Sequence, residues 1–582
     1  MLLFGEKTAV PFGAKVGKIP TKKTQAALGE NLAPFNALMG RVELARNGLI
    51  SLYSAQKTAA LHQFARVFLP AYEAEKQRRG WLDFDDLILK SRALLSDSNV
   101  AAWVLFRLDG GLDHILVDEA QDTSPAQWKV IEHLAQEFSS GVGARDDVQR
   151  TIFVVGDKKQ SIYSFQGADP REFDRMQKHF KQRFGDIGAP FISLGLEHSF
   201  RSSDAILRFV DQSVSISEMT HLAFHDQFPG RVDLWPVVPV TPKPTKEHWY
   251  DPVDIVGEDH QEVILARKVA TFMASQIGKG ALPLAGGGQR LIQASDFLIL
   301  VRRRSNLFQE IIRACKKLDL PIAGADRLKL GAELAVKDLV AVLNFLATPE
   351  DDLSLAAALK SPLFGWDEAK LYDLAGRRTH TYLWQELRTR SGEFPDSFAL
   401  LEDLRNNADF MRPYDLIERI LTRHNGRQLL LARLGREAED GIDALLAQTL
   451  TYEHTEVPSL TGFLTWLATD EVEIKRQLDT AGDLIRVMTV HGAKGLESPI
   501  VILPDTGKRT VPSREQIIPM DQAGAAWRVP SAQQPERMKV ALTQLKAVQK
   551  EEQERLFYVA ATRAENWLIV AAAGEVGDGD DS

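Results

Sequence analysis

Three apolar β-formers run straight into two adjacent carboxylates in Ile115-Leu116-Val117-Asp118-Glu119-Ala120-Gln121-Asp122, just ahead of Thr123-Ser124-Pro125. No other stretch constrains the fold as strongly. An apolar run without alternation suits a strand buried on both faces, as in a parallel sheet. In open α/β sheets, ligands sit at the carboxyl ends of such strands. A plainer description covers the same letters: a strand, an acidic turn, and a helix capped by Ser124 with Pro125 at its first position. On this stretch alone both descriptions stay open.

If the strand serves a nucleotide, the two acids divide the work. In hydrolases built on a phosphate loop, an aspartate at this place helps hold Mg2+ between the β- and γ-phosphates. A neighbouring carboxylate can orient and deprotonate the attacking water. Asp118 is thus assigned to the metal and Glu119 to the water. A loop of the form G-x-x-x-x-G-K-[ST] is absent from the 582 residues. Gly17-Lys18 is followed by Ile19, and Phe12 stands where the first glycine belongs.

A chain of 582 residues is too long for one ordinary domain. Apolar content of 44% and charged content of 26% fit globular domains with sizeable cores. No apolar run approaches a membrane span, and the opening Met1-Leu2-Leu3-Phe4 is too short for a secretory signal. Cys315 is the single cysteine, which excludes an intrachain disulfide and favours a reducing, cytoplasmic setting. A net charge of −9 argues against indiscriminate coating of nucleic acid, but a locally basic channel remains compatible with it.

Along the chain, residues 1–80 read as helical after a lysine-bearing start, and Asp83 to Asp86 read as caps of the next helix. That helix runs to about Leu108 and is broken by Gly110-Gly111. A helix is expected from Pro125 to Phe138. Ile152-Phe153-Val154-Val155 is a second buried-type strand, ending in Gly156-Asp157-Lys158-Lys159-Gln160. Gln160 could bond a terminal phosphate or the attacking water. Tyr163 and Phe165 could stack on bases, or simply pack in a core. Ser202 and Ser203 look like caps of a helix over 204–214, which fixes Arg201 near a helix start, either facing phosphate or as a surface arginine. Prolines crowd 233–256, a loop or linker. Helix is expected over 260–277, a turn at Gly286 to Gly288, and a buried strand over Phe297–Val301, followed by Arg302-Arg303-Arg304. From about Ser361 to Asp479 the pattern is helical with no sheet signal. Strands resume at Leu484–Val490 and Ile500–Leu503; after a loop rich in proline, glutamine and charge, Lys539–Ala561 is strongly helical and Leu568–Ala571 is a last strand.

Taken together, these strand-end motifs resemble those of the superfamily 1 DNA helicases of the UvrD type. Asp118-Glu119-Ala120-Gln121-Asp122 is similar to their second motif, and Gly156-Asp157 through Gly167-Ala168-Asp169 to the third. Ser199-Phe200-Arg201-Ser202 is similar to the fourth, with Phe200 where many members have tyrosine. Val490-His491-Gly492-Ala493-Lys494-Gly495-Leu496-Glu497 is similar to the fifth, and Tyr558-Val559-Ala560-Ala561-Thr562-Arg563-Ala564 to the sixth. Asp83-Phe84-Asp85-Asp86-Leu87 matches a minor motif. Within that family, Thr123-Ser124-Pro125 after the acids, Gln166-Gly167-Ala168, Ala323-Gly324-Ala325-Asp326-Arg327-Leu328 and Lys360-Ser361-Pro362-Leu363-Phe364-Gly365 resemble the AddA subunits of AddAB helicase–nucleases.

The resemblance implies an α/β fold: two RecA-like parallel-sheet motor domains, the first incomplete, with a mainly helical inserted subdomain. The expected division is a helical part of the first motor domain over 1–110 and its core over 111–195. The second motor domain takes 196–355 and 483–573, interrupted by the helical insertion over 356–482, and 574–582 is an acidic disordered end. ATP and Mg2+ are the implied cofactors. By resemblance Asp118 binds the metal, Glu119 is the catalytic base, Gln160 senses the γ-phosphate, and Arg201 and Arg563 reach the transferring phosphoryl group. Glu497 would bond the ribose. Thr489, His491 and Lys494 would couple that site to DNA, with Tyr163 and Phe165 on the base-stacking path.

The implied activity is that of an ATP-dependent helicase moving 3′ to 5′ on single- and double-stranded DNA in double-strand break repair, with an AddB-like partner and no membrane. The missing phosphate loop and nuclease make the chain look like an internal piece or a truncated reading frame, with little ATPase of its own. A simpler UvrD-like repair helicase and a non-catalytic DNA-binding or partner-docking remnant are the alternatives.

Overall fold

The computed structural model describes residues 15–96, 112–136, 150–214, 221–225, 228–241, 257, 259–284, 287–323, 327–376, 378–435, 438–469, 473–475, 482–507, 515–520 and 524–575. The expected break at Gly110-Gly111, the helix end near Leu108, the Gly324-Ala325-Asp326 stretch and the acidic end beyond Glu575 lie outside them. Two compact units emerge: Met1–Thr245 with Leu282–Arg290 and Val490–Ser582, and Lys246–Ala281 with Leu291–Thr489.

The first unit carries a long helix, α1 (Leu32–Arg79), of 48 residues. At 1.5 Å per residue it runs about 72 Å. It stops at Gly80, whose φ of 68° is the left-handed conformation that ends helices cheaply only for glycine. The next helix, Phe84–Ser96, is capped as expected: Asp86 N–H donates to Asp83 Oδ1 at 2.8 Å, and Asp83 N–H to Asp86 Oδ2 at 3.0 Å. Lys76, buried at the end of α1, ties the two helices by ion pairs to Asp86 (2.6 Å) and Asp83 (2.9 Å), and also pairs with Glu73 of its own helix (3.1 Å). Its ammonium holds the Asp86 carboxyl below the usual carboxylate range.

Two short parallel strands follow, β1 (His114–Val117) and β2 (Thr151–Val154), with His114 opposite Thr151 and Val117 opposite Val154. Ile115, Val117, Ile152 and Val154 pack against Trp128, Met176 and Phe180 from the helices Pro125–Leu134 and Pro170–Asp186. The opposite face is open: Leu116 is 74% exposed and Phe153 61%. The expected burial on both faces is therefore corrected to burial on one. Among the described residues, helices cover only one side of this pair.

Parallel strands β3 (Arg231–Leu234), β4 (Ser498–Leu503) and β5 (Ala564–Val570) also pair in this unit, with β5 between the other two. Here the unalternating apolar pattern does mark a buried strand, since Ile500, Val501, Ile502 and Leu503 are all inaccessible. The helix α2 (Glu536–Ala561) feeds directly into β5. Between β4 and α2, the stretch expected to be loop contains an antiparallel hairpin, Ile517–Met520 with Gly524–Trp527. It lies on α1, where the His62 Nε2 is 2.8 Å from the Ala525 carbonyl and Trp527 N–H donates to the Thr58 hydroxyl at 3.3 Å.

In the second unit, the strand Phe297–Val301 is wholly buried and pairs in parallel with Arg486–Thr489. The helix Gln261–Gln276 precedes it, started by His260, whose Nδ1 accepts from Glu262 N–H at 3.3 Å. Helices from Leu334–Ala347 to Leu460–Thr469 share one core that includes Leu339, Phe345, Trp366, Leu404, Ile417 and Phe463. The expectation of no strand in this region needs one correction: Glu473–Lys475 pairs antiparallel with Arg327–Lys329.

Candidate functional site

All the site residues below except Thr489 lie in the first unit. At the end of β1 the chain hooks over β2: Val155 N–H donates to Val117 O at 2.8 Å, and Ala120 N–H to Val155 O at 3.0 Å. Asp118 and Glu119 are thereby set beyond the strand tips. Glu119 adopts φ 51°, the left-handed region, which costs a residue with a side chain about 1–2 kcal/mol. Its N–H donates to Asp118 Oδ1 at 2.8 Å. Buried Gln121 braces the turn. Its Oε1 accepts from Asp157 N–H at 2.9 Å, its carbonyl from the Ser161 hydroxyl at 3.0 Å, and its amide donates to Glu119 Oε2 at 2.5 Å. Gly156 is required by this brace, because a Cβ there would lie 2.6 Å from Gln121 Oε1.

Gln160 ends a 3-10 turn, Lys158–Gln160, started by Asp157, whose Oδ1 accepts from Lys159 N–H at 3.0 Å. The Gln160 amide donates to Asp157 Oδ2 at 3.0 Å, and its Oε1 accepts from Arg563 Nη2 at 3.4 Å. Arg563 follows α2 and is 1% exposed, with Nε donating to Val559 O at 3.1 Å and Nη1 to Leu496 O at 3.4 Å. Burial, with the nearby Arg201 charge, pulls its pKa down to about 10, while Glu119 and Glu497 oppose the shift. The guanidinium therefore stays charged at neutral pH. Arg201 pairs with Glu497, Nε to Oε2, at 2.6 Å. The strand-tip acid Glu119, Gln160, Arg201, Glu497 and Arg563 thus share one electrostatic neighbourhood.

Ser202 and Ser203 do not cap through their side chains, contrary to expectation. The Ser202 hydroxyl donates to Ala564 O at 2.7 Å and Ser203 N–H to Glu565 O at 2.9 Å, which pins the Arg201 segment to the start of β5. Ser203 occupies the N-cap position of the helix Asp204–Ser213 without a side-chain bond.

Beside the acids stands an aromatic group. Phe165 and His491 rings are 5.5 Å apart, Tyr163 and Phe165 5.8 Å, and the Tyr163 hydroxyl donates to His491 O at 3.3 Å. Phe165 is 68% exposed, so most of the side chain is accessible to a ligand. Burial pushes the His491 pKa down, with Glu552 opposing. Glu552 also fixes the aromatic loop, accepting from the Ser164 N–H at 3.1 Å and from the Ser164 hydroxyl. Buried Arg555 donates to Ser161 O at 2.8 Å. Lys494 turns toward the acids, with Nζ 3.0 Å from Glu119 Oε2 and in contact with Asp122 Oδ2. Thr489 ends its strand in the second unit, opposite Val301.

Gln121, Asp122, Glu552 and Arg555 had no assigned role from sequence. A glutamine in a turn and charges within a charged helix carry no local signal; only the segments that meet them reveal what they do.

The strand-tip set suits a hard cation. Carboxylate oxygens are what Mg2+ takes, and that ion completes its shell with water and phosphate rather than an all-protein cage. Among the described residues no three His, Cys, Asp or Glu converge on one point. Asp122 Oδ1 is buried without a hydrogen-bond partner, and the acids already hold one cation, the Lys494 ammonium. Burial raises the Asp122 pKa, against the pull of Lys494.

Residues 15–181 match the family model of the UvrD/REP helicase N-terminal domain, and residues 261–575 that of the UvrD-like helicase C-terminal domain. Similar curated proteins include an ATP-dependent helicase/nuclease subunit from Leuconostoc mesenteroides, 25% identical over 88% of this chain and 42% of its own length. The protein of the same name from Latilactobacillus sakei is 26% identical over 79% of this chain and 54% of its own. The ATP-dependent DNA helicase PcrA of Bacillus subtilis is 26% identical over 92% and 65%. The chain spans between 42% and 65% of the length of these relatives.

Proposed function

We propose a function from one premise: the chain belongs to the UvrD-like helicase family, whose motor domains are RecA-like. It is motor machinery of an ATP-dependent DNA helicase. The observation that carries this reading is the linkage of Glu119, through Lys494 and Gln160, to Arg563, with Arg201 in the same field.

In this reading Asp118 holds Mg2+, which would screen phosphate charge, and Glu119 takes a proton from the attacking water. Gln160 reads the terminal phosphate from between Asp157 and Arg563. Arg201 and Arg563 face the transferring phosphoryl group, where such arginines contribute about 10³–10⁵ in rate. Glu497 turns from Arg201 to the ribose. Tyr163, Phe165 and His491 stack DNA bases, and Thr489, at the end of its own strand, is a DNA-coupling residue. Residues 111–195 are the core of the first motor domain, with the helical 1–110 joined to it. Residues 196–355 and 483–573 make the second motor domain, 356–482 is a helical insertion, and 574–582 is an acidic tail.

The finer reading is an AddA-type subunit that moves 3′ to 5′ in double-strand break repair beside an AddB-like partner. Several relatives carry the name of a helicase/nuclease subunit, which supports it. The high coverage by PcrA favours a second reading, a simpler repair helicase. Pull-down with a nuclease-bearing second subunit separates the two.

The 582-residue polypeptide, which contains no phosphate loop, hydrolyses little ATP while binding single-stranded DNA. Fluorescence anisotropy with labelled oligo(dT) and a phosphate-release assay test both halves. Robust DNA-stimulated hydrolysis overturns the ATPase half, and failure to bind oligo(dT) overturns the motor reading.

A further inference from the structure

Three titratable side chains surround one imidazole that has no role so far. His221 Nδ1 lies 2.5 Å from Asp211 Oδ1, and the His221 backbone N–H donates to Asp211 Oδ2 at 3.0 Å. On the other side of the ring, Nε2 lies 2.7 Å from Lys159 Nζ and 3.0 Å from the Tyr558 hydroxyl. The members come from separate segments. Asp211 is in the helix Asp204–Ser213, Lys159 in the turn Lys158–Gln160, and Tyr558 in α2. His221 itself directly precedes Leu222–Ala223, which pairs in parallel with His198–Ser199, just ahead of Arg201. Lys159 adjoins Gln160, whose side chain meets Arg563. The imidazole therefore ties the Gln160 turn to the Arg201 segment.

The partners fix the tautomer. A carboxylate only accepts and an ammonium only donates, so Nδ1 carries the proton and Nε2 offers its lone pair. Burial, with the Asp157 and Asp211 charges, pushes the Tyr558 pKa up, against Arg563, so the phenol keeps its proton as well. One lone pair thus faces two donors, of which Lys159 is the nearer. A proton on Nε2 inverts the arrangement. The nitrogen then donates, and the Tyr558 oxygen can accept from it. The Lys159 ammonium has nothing to accept with and meets a second positive charge at contact distance. Imidazole is the side chain whose charge ordinarily changes between about pH 5 and 8.

We propose that His221, aligned by Asp211, is a positioning residue: neutral, it accepts from Lys159 and holds the Lys158–Gln160 turn to the Arg201 segment, and protonation at Nε2 releases that hold. The contact stands by itself. Its consequence, the placing of Gln160 toward a terminal phosphate, rests on the motor reading, in which Lys159 belongs to the first motor domain and Asp211, His221 and Tyr558 to the second.

The test is hydrogen exchange, read by mass spectrometry, of the Lys159, Gln160 and Ser161 amides in the full 582-residue chain. These amides are bonded within the turn, to Asp157 Oδ1, Asp157 O and Lys158 O. Rates are compared at about pH 8 and about pH 6, after correction for intrinsic exchange. Wild type is protected at the higher pH and loses about 10-fold or more of that protection at the lower, the effect of one hydrogen bond to a charged group. Lys159→Met has already lost it at the higher pH and shows no further fall. His221→Gln, whose amide oxygen accepts from lysine at either pH, stays protected at both. Wild-type protection that is absent, or equal at the two pH values, overturns the proposal. So does a pH response undiminished in His221→Gln, which would assign it to His491 beside Tyr163. If His221→Gln does not fold, Lys159→Met decides, since a fall with pH in that variant overturns the proposal equally. The exchange uses neither nucleotide nor DNA. Failure to bind oligo(dT) therefore removes the motor reading and leaves the contact standing, whereas a missing pH response removes the contact alone.

Discussion

Arg563 Nη2 meets Gln160 Oε1 at 3.4 Å although 403 positions separate the two residues in the chain. The guanidinium is held from behind by the Val559 and Leu496 carbonyls, and the amide from behind by Asp157. Each side chain is oriented before any ligand arrives.

Arg563→Lys tests that orientation. Lysine keeps the charge but cannot span both carbonyls and Gln160, because it lacks the planar fork. A buried polar network that loses members costs on the order of 1–3 kcal/mol. The urea midpoint is expected to fall by a corresponding amount with the slope unchanged, whereas Arg201→Lys, at a more exposed ion pair, moves it far less. Equal stability of Arg563→Lys and wild type contradicts the brace.

Gly156→Ala drives a methyl to within 2.6 Å of Gln121 Oε1, 3.2 Å of the Phe173 ring and 3.3 Å of Ala120 Cβ. The side chain must shift, breaking its bond to Asp157 N–H and loosening Glu119. Overpacking of this kind costs roughly 1–3 kcal/mol. Because the clash runs through one side chain, Gly156→Ala combined with Gln121→Ala is less destabilised than the sum of the two changes. Additive midpoints in urea would show that the clash lies elsewhere.

How far the sequence reaches depends on where the partner of each residue comes from. Ile500–Leu503 and Phe297–Val301 read as buried strands and are buried, because local pattern and tertiary cover agree. Ile115–Val117 has the same pattern, yet Leu116 is exposed: hydrophobicity reports that a face can be covered, not that it is. The hairpin at Ile517–Trp527 is unreadable because Pro519 interrupts its strand signal, and the exposed edge there tolerates it. At the site, the acids were legible from their position at a strand end. Gln121 and Glu552 were not, since the groups they hold, Asp157 N–H and Ser164, lie elsewhere in sequence. Lys494 was legible as part of a turn but not as a partner of the acids, because sequence does not say which way its long side chain swings.

Stability should fall on mild acidification because of His491. Burial lowers its folded pKa below the ordinary 6.5, so between that lowered value and 6.5 the unfolded chain binds more protons than the folded one. Stability is fully present above 6.5 and is lost as pH falls toward the folded pKa. Asp122, shifted upward by burial, acts with the opposite sign and from 3.8 upward, so the two are separated by mutation rather than by the raw profile. His491→Gln is expected to flatten the decline of the thermal midpoint below pH 6.5. A profile of unchanged slope would assign that decline to another group.

Phe165→Ala separates binding from folding. The ring is 68% exposed and its contacts are to Tyr163 and His491, so its loss leaves the core intact. Surface substitutions of that sort change stability by at most about 0.5 kcal/mol. A base stacked on it would contribute about 1–3 kcal/mol, which corresponds to a loss of roughly 5- to 150-fold in affinity for oligo(dT). Stacking is indifferent to base identity, so the loss should be similar for oligo(dT) and for mixed single strands, and an added Tyr163→Ala change should deepen it. Unaltered anisotropy titrations for Phe165→Ala, with the thermal midpoint of wild type, would remove the aromatic group from the DNA path and leave the packing of His491 as its whole role.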